Sequence, residues 1–219
     1  MKRYGKFTAW LIAIWFILAA LASAFGLYAN SSSRLGYAVG VSALAPIALF
    51  ALWYARSEGF RRFALSLNPR ALTFIHSWRI AGIVFVILEA YGVLPAIFAL
   101  PAGYGDMFIG ATAWLVAWKL AVPRHRASFI FWQLLGSVDL VMAVTLGTTA
   151  RLLSPQGVSM AAMTALPLSL VPTFLVPLLF ILHLVCIAQA RRWSRVSSIQ
   201  PETAAGSFGS GSHPRPVAG

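Results

Sequence analysis

Long apolar runs separated by short basic or Pro/Gly-containing connections dominate the pattern of this chain. Six runs reach or approach the roughly 20 residues that a helix needs to cross a bilayer. They lie near Phe7–Ala29, Tyr37–Ala55, Ile80–Leu100, Met107–Val122, Ala127–Ala150 and Pro167–Ala190. Strands of a membrane β-barrel alternate over about ten residues, and these runs are longer and continuous. The pattern predicts an all-α fold, a polytopic transmembrane bundle of six helices over residues 1–195.

Composition supports a lipid environment. Hydrophobic residues make up 59% of the 219 residues and charged residues only 10%, whereas soluble domains carry about 25% charged residues. So few polar groups cannot form a surface that faces water over the whole protein. Because backbone exposed to lipid must satisfy its hydrogen bonds internally, helices are the expected elements.

The basic residues alternate from one connection to the next. The N-terminal segment, the second and fourth connections and the C-terminal side are rich in Lys and Arg, whereas the other connections carry only Arg34 and Arg151. Cytoplasmic loops hold the excess of Lys and Arg, so both termini are predicted to be cytoplasmic. The net charge of +12 forms no stripe interleaved with exposed aromatics, which argues against nucleic acid. The expected partner is a bilayer with anionic lipids at the cytoplasmic face.

Four segments need separate interpretation. Ala22–Ala24 resembles a signal-peptide cleavage site, but the apolar run before it exceeds the usual 7–15 residues, which favours an uncleaved helix. Phe60–Trp78 is either an amphipathic segment lying on the membrane or a basic loop with aromatic anchors. Gly157–Leu166 is apolar but short, as in a re-entrant or interfacial piece. Residues 196–219 are predicted to be a disordered cytoplasmic tail.

Two carboxylates, Glu89 and Asp139, fall in the middle of predicted membrane helices. Small residues share the helix face of each acid, so both should face neighbouring helices. At about 1.5 Å per residue the two acids lie at similar depth, with His183 and Gln133 near enough to join them. The candidate intramembrane polar cluster is therefore Glu89, Asp139, His183 and Gln133.

Two interpretations of this cluster stay open. The favoured one is structural: the acids and the histidine form hydrogen bonds that lock a membrane protein of unknown specific function, such as a partner-binding or assembly subunit. The alternative is a small proton-coupled transporter or permease that uses Glu89, Asp139 and His183, because ionisable groups at membrane depth often carry function. Both interpretations are compatible with a homo-oligomer and with a hetero-oligomer.

Two further motifs are more simply explained by backbone structure. Gly103, Gly105 and Asp106 are predicted to form an outer turn with Asp106 capping the next helix; an outer vestibule that attracts a cation is the alternative. Pro172 and Pro177 are predicted to kink the last helix. Kinked helices also line binding sites in transporters.

No motif calls for an enzyme, a cofactor or a metal. Only His183 among the four histidines is clearly inside a predicted span, so a haem held by two histidines is not expected. The single Cys186 excludes an intrachain disulfide. No catalytic residues or metal ligands are predicted, and a membrane redox or lipid-modifying enzyme is the least favoured hypothesis.

Three stretches resemble an uncharacterised family of bacterial multi-pass membrane proteins. They are Arg79–Asp106, Trp132–Val141 and Pro167–Leu184, within a region of about Arg79–Gln189. The resemblance implies a location in the bacterial inner membrane. It implies no activity and assigns no functional residues.

Overall fold

The computed structural model describes residues 2–28, 35–153 and 157–196. Every regular element in these residues is helical, which confirms the expected all-α class for the described part of the chain. The α-helices are α1 (Lys2–Ala24), α2 (Leu35–Arg56), α3 (Glu58–Ser66), α4 (Pro69–Ile75), α5 (Ile83–Ala90), α6 (Ala96–Lys119), α7 (Arg126–Leu153) and α8 (Val176–Val196). Residues 197–219, nearly all of the predicted tail, lie outside the described residues.

Within the described ranges, five stretches are long and apolar enough to cross a membrane, which indicates a membrane protein. They are Arg3–Ala24, Ala38–Arg56, Pro69–Ala90, Pro123–Ala150 and Val171–Trp193. Only 11% and 6% of the first two spans is buried, against 33%, 39% and 44% of the others. The core is therefore built from α4 to α8, and α1 and α2 pack at its side.

The third span is a composite helix, here called the 69–90 helix. It consists of α4, a 3₁₀ segment (His76–Gly82) and α5. A 3₁₀ helix has 3.0 residues per turn, so side chains three apart lie in one row. His76, Arg79 and Gly82 form such a row, and all three are buried. An α-helix, with 3.6 residues per turn, would spread them around its surface.

The predicted runs Ile80–Leu100 and Met107–Val122 are wrong in register. The helices begin eleven residues earlier, at Pro69 and Ala96. The side chain of Asn68 accepts hydrogen bonds from the first N–H groups of α4, and Pro69 takes the first helical position, a strong helix start.

The end of the 69–90 helix explains why the next helix is also shifted. Gly92 has a φ of 68°. The N–H of Val93 bonds the carbonyl of Leu88 and that of Gly92 bonds Glu89, both at 2.8 Å, the Schellman pattern that ends a helix. Pro95 then precedes α6 in an extended conformation. The turn is thus made by Gly92 and Pro95.

The segment Phe60–Trp78 is not one amphipathic piece. Only its first part belongs to the short helix α3, which buries Phe60 and Ala64; residues from Pro69 onward enter the 69–90 helix. The amide of Gln189 on α8 donates to the carbonyl oxygens of Ala64 at 3.2 Å and Leu67 at 2.8 Å. This contact fastens α3 to the end of the bundle.

The predicted kink before α8 coincides with a π-helical turn, Val171–Leu175, which contains Pro172. Pro177 lies in the first turn of α8. Helix α1 docks at this point: the indole nitrogen of Trp15 donates to the carbonyl of Thr173 at 3.2 Å, and the hydroxyls of Ser23 and Ser169 are 2.5 Å apart. In the predicted re-entrant or interfacial piece Gly157–Leu166, a 3₁₀ turn buries Met163 and Thr164.

Candidate functional site

Arg79 occupies the middle of the 69–90 helix, and its side chain is 1% exposed. Its Nε donates to Oδ1 of Asp106 on α6 at 2.6 Å, and its Nη2 donates to Oδ2 of Asp139 on α7. Its Nη1 donates to the carbonyl oxygen of Gly136 and lies 3.3 Å from Nε2 of His183 on α8. One guanidinium therefore joins three other helices.

The two carboxyl groups share this one guanidinium. The side chains of Asp106 and Asp139 are 17% and 9% exposed. If both were ionised, the Asp106–Arg79–Asp139 triad would carry one net negative charge, and burying an uncompensated charge is costly. One proton held between the two carboxyls makes the triad neutral, so its charge balance depends on one proton.

A directed chain of hydrogen bonds leads from Arg79 to the start of α4. Arginine only donates, so Nε2 of His183 accepts and its Nδ1–H donates to Oε1 of Gln133 at 2.5 Å. The Gln133 amide donates to Oγ1 of Thr73 at 3.1 Å, and the Thr73 hydroxyl donates to the carbonyl of Pro69 at 2.8 Å. Each group in this chain fixes the orientation of the next.

A second imidazole, His76, is stacked on His183. The ring centroids are 3.9 Å apart with 19° between the planes, and Trp132 meets His76 edge-on at 5.9 Å. His76 is 0% exposed, yet neither ring nitrogen has a hydrogen-bond partner among the described residues. It lies beside the hydrogen-bond chain without being part of it.

Glycines make the space for these polar groups. A Cβ atom on Gly136 would approach the ring of His183 to 2.5 Å. A Cβ on Gly105 would overlap a carboxylate oxygen of Asp139, and one on Gly82 would overlap Asp106. The backbones therefore approach closely where the charged groups meet, as small residues allow in membrane bundles.

Buried apolar side chains form a cluster beyond Arg79. Along the 69–90 helix they follow Arg79, and along α6 they precede Asp106. The buried members are Phe85, Leu94, Phe98, Ala99, Ala102 and Met163. This apolar cluster, here called the Phe85 cluster, follows Arg79 along the 69–90 helix, whereas the hydrogen-bond chain leads from Arg79 back toward Pro69.

The structure brings Asp139, His183 and Gln133 together and leaves Glu89 out. Glu89 lies in the last turn of α5 and is half-buried, and its carboxyl group makes no hydrogen bond or ion pair with a described residue. Because the helix begins at Pro69, residue 89 falls at its end, and Arg79 takes the central position that the predicted register gave to Glu89.

The outer turn predicted at Gly103, Gly105 and Asp106 is also wrong. They lie within α6, ten or fewer residues from its start at Ala96, and form no turn or cap. Asp106 is a buried partner of Arg79 and not an outer vestibule residue.

Sequence reasoning missed Arg79, His76 and Thr73 because it assigned Phe60–Trp78 to a cytoplasmic connection. Asn68-Pro69, an N-cap residue followed by a proline, is the signal that could have moved the helix start. No group of three or more His, Cys, Asp or Glu side chains that could hold a metal ion is present in the described part of the chain.

Comparison with known proteins gives one match. Residues 34–191 match the model of a family described as Domain of unknown function (DUF8737). No curated protein matches the chain, and no solved structure does. The triad and the hydrogen-bond chain lie inside the matched range, whereas α1 precedes it.

Proposed function

The chain belongs to this domain family of unknown function, and we propose its role from the geometry of its buried polar residues. It has six membrane-spanning helical segments in the bacterial inner membrane, with both termini in the cytoplasm. It exchanges a proton at the Asp106–Arg79–Asp139 triad and acts as a small proton-coupled transporter or permease. The supporting observation is that two buried carboxyls share one guanidinium.

The length of α6 supports a sixth span. Its 24 residues would extend about 36 Å as an α-helix, enough for a hydrocarbon core of about 30 Å. Its hydropathy is lowered by Asp106, which pairs with Arg79, and by Gly103, Gly105 and Gly110, which lie against neighbouring helices. Lys and Arg lie beyond its Lys119 end and near the Pro69 end of the neighbouring helix, so both ends are assigned to the cytoplasm.

The surplus carboxyl favours proton exchange over a purely structural role. One acid is enough to compensate a buried arginine, and a second one requires a proton or another cation. The hydrogen-bond chain from Arg79 to Pro69 supplies polar contact toward one side. The Phe85 cluster lies along the 69–90 helix on the opposite side of Arg79 from that chain, which favours proton access from the Pro69 end.

A structural lock is the second candidate function. It is favoured by the continuous hydrogen-bond chain and by the close fit around Gly136 and Gly105, which would hold four helices in one arrangement. The protein would then serve as a partner-binding or assembly subunit.

Proton flux into liposomes separates the two candidates. Asp139→Asn and Asp106→Asn should each leave the protein folded, as judged by its melting temperature. Each should abolish the proton flux that an imposed pH gradient drives, because it leaves only one carboxyl group to pair with Arg79. Glu89→Gln is the matched control and should keep wild-type flux, since Glu89 lies outside the triad.

The experiment is run with choline in place of sodium so that the flux is assigned to protons. Wild-type protein that carries no proton flux, or asparagine variants that carry it at full rate, would contradict transport and leave the structural lock as the function.

A further inference from the structure

A groove of about 460 Å³ lies between α1 and α2, near the end of α2. Its α2 wall is made of residues three, four and seven positions apart, which share one face of a helix. The lining residues are Leu11, Leu49, Leu52, Trp53 and Arg56. All three leucines are exposed. The groove is therefore apolar along most of its length and cationic at one end.

The way α1 docks on the bundle leaves this groove open. Tyr4 stacks on Phe63 of α3, with ring centroids 6.1 Å apart. Further along α1, the indole of Trp15 donates to the carbonyl of Thr173. Leu11 lies between these two contacts. The groove is thus formed by the protein itself, and a preformed site loses little conformational freedom when it binds a ligand.

Trp53 is a fixed wall of the groove. Its ring lies face to face with Phe60, with centroids 3.8 Å apart and 3° between the planes. Phe7 of α1 meets Trp53 edge-on at 5.7 Å. Because Phe60 is itself buried, this stack holds the indole in one orientation against which an apolar chain can pack.

Arg56 brings a positive charge that no described acid balances. Its side chain is exposed and makes no ion pair with a described residue. Glu58, the acid nearest in sequence, pairs with Arg62 at 3.8 Å. The two aspartates of the chain belong to the buried triad, and Glu89 lies at the far end of the 69–90 helix. The cationic end of the groove therefore requires an anion from outside the described residues.

The occupant must combine an apolar part with an anionic part. A second apolar helix would cover the leucines but leave the guanidinium without a partner, which is unfavourable. A free phosphate ion would pair with Arg56 but leave the leucines uncovered. A phospholipid has both parts. From Leu49 to Arg56 the groove wall extends about 10 Å, so an acyl chain and a phosphate can contact it together.

We propose that this groove binds one anionic phospholipid of the cytoplasmic leaflet, with an acyl chain along Leu49 and Leu52 and the phosphate on Arg56. The planar guanidinium fork matches two phosphate oxygens, and basic pockets between membrane helices bind anionic headgroups at the cytoplasmic side. The lipid joins α2 to α1, which precedes the residues that the family model matches. The leaflet follows from the proposed orientation, and the site does not depend on proton exchange.

Native mass spectrometry of the full-length protein in detergent tests the proposal. The probes are phosphatidylglycerol, which is anionic, and phosphatidylcholine with identical acyl chains. The wild type should bind one phosphatidylglycerol about fivefold or more tightly than phosphatidylcholine, the usual effect of one basic residue near anionic lipid. Arg56→Gln should remove the preference, and Arg56→Lys should keep most of it because the charge remains. Arg70→Gln is the control: it removes the same charge from an exposed residue outside the groove and should keep the preference.

A pair of leucine variants tests the apolar part independently. Leu49→Trp fills the groove and should weaken binding of both lipids by about tenfold or more, as a steric misfit in an apolar pocket does. Leu44→Trp is the control, because Leu44 is 67% exposed and Leu49 is 66% exposed, and only Leu49 lines the groove. Melting temperatures without added lipid establish that each variant is folded.

Three results would overturn the proposal. The first is equal affinity of the wild type for the two lipids, and the second is an unchanged preference in Arg56→Gln. The third is a wild-type dimer that excludes lipid and dissociates in Leu49→Trp, which would make a second copy of the chain the occupant. Loss of proton flux in other variants bears on the proposed transport alone and leaves this lipid site unaffected.

Discussion

Arg79 holds α6, α7 and the 69–90 helix together through different nitrogens of one side chain. Nε, Nη1 and Nη2 each have a different partner, and the planar guanidinium fixes the angles between them. The contribution of this residue therefore depends on its shape as well as its charge.

Arg79→Lys is expected to lower the free energy of unfolding by about 3 kcal/mol or more, because an ammonium group cannot replace the fork and leaves buried acids unpaired. Chemical unfolding in detergent micelles measures it. Arg62→Lys is the control: Arg62 and its partner Glu58 are 70% and 67% exposed, so the change should stay within about 0.5 kcal/mol. Equal effects of the two substitutions would contradict the central role of Arg79.

Gly136→Ala should destabilise the protein by about 1–3 kcal/mol, the usual cost of overpacking, because its Cβ would approach the His183 ring to 2.5 Å. Gly40→Ala is the matched helical control, with no heavy atom within 4 Å of its Cβ, and should be neutral or stabilising by up to about 1 kcal/mol. The difference in melting temperature between the two variants checks the fit.

At the residue scale, sequence could bring Asp139, His183 and Gln133 together because α7 and α8 were placed in nearly the correct register. Helix periodicity and depth then suffice. It could not find the Arg79 pairs, since a register error of eleven residues moved Arg79 and Asp106 out of the predicted spans and moved Glu89 from the end of a span to its middle.

At the scale of elements, the 69–90 helix shows why that error arose. Its first half carries Arg70, His76 and Arg79, and polar residues in a window are typical of a connection. The buried face of the 3₁₀ segment hides two of these three from lipid. Only the partners on other helices, which are distant in sequence, make this placement favourable.

The docking of α3 depends on Gln189. Gln189→Ala removes both hydrogen bonds to the end of α3, a loss of about 1–3 kcal/mol that should speed local amide exchange by roughly ten- to a hundredfold. Hydrogen–deuterium exchange over residues 58–67 measures the effect. Ser66→Ala, which removes an exposed bond to the Phe63 carbonyl, should leave exchange nearly unchanged. Unaltered exchange in Gln189→Ala would mean that α3 is held by its apolar contacts alone.

At the scale of the whole molecule, the helical class was predictable because composition alone demands a lipid environment. The arrangement of a core from α4 to α8 with α1 and α2 at its side was not, because all the spans are similarly apolar. Hydropathy does not distinguish a helix face that contacts lipid from one that is buried in the protein.

Cysteine labelling in whole cells tests the register and the orientation together. Tyr91→Cys should react with a membrane-impermeant maleimide, because Tyr91 lies in the turn between α5 and α6 and is 80% exposed. Trp78→Cys should not react, since its exposed side faces lipid in the middle of the span, and Arg124→Cys should react only after the membrane is permeabilised. Cys186 is fully buried and gives little background. Labelling of residue 78 after permeabilisation, with protection of residue 91 throughout, would restore the register expected from the sequence.

The position of the Phe85 cluster has an electrical consequence. With the hydrogen-bond chain on one side of the triad and Phe85, Leu94 and Phe98 on the other, the proposed proton would enter from the Pro69 end and pass through about half of the bilayer. Moving one charge across the whole membrane is worth about 2.3 kcal/mol per 100 mV. A change of about 100 mV should therefore change the free energy of proton binding to the carboxyl pair by about 1 kcal/mol. The membrane potential would then set how much of the protein holds its proton, even at constant pH.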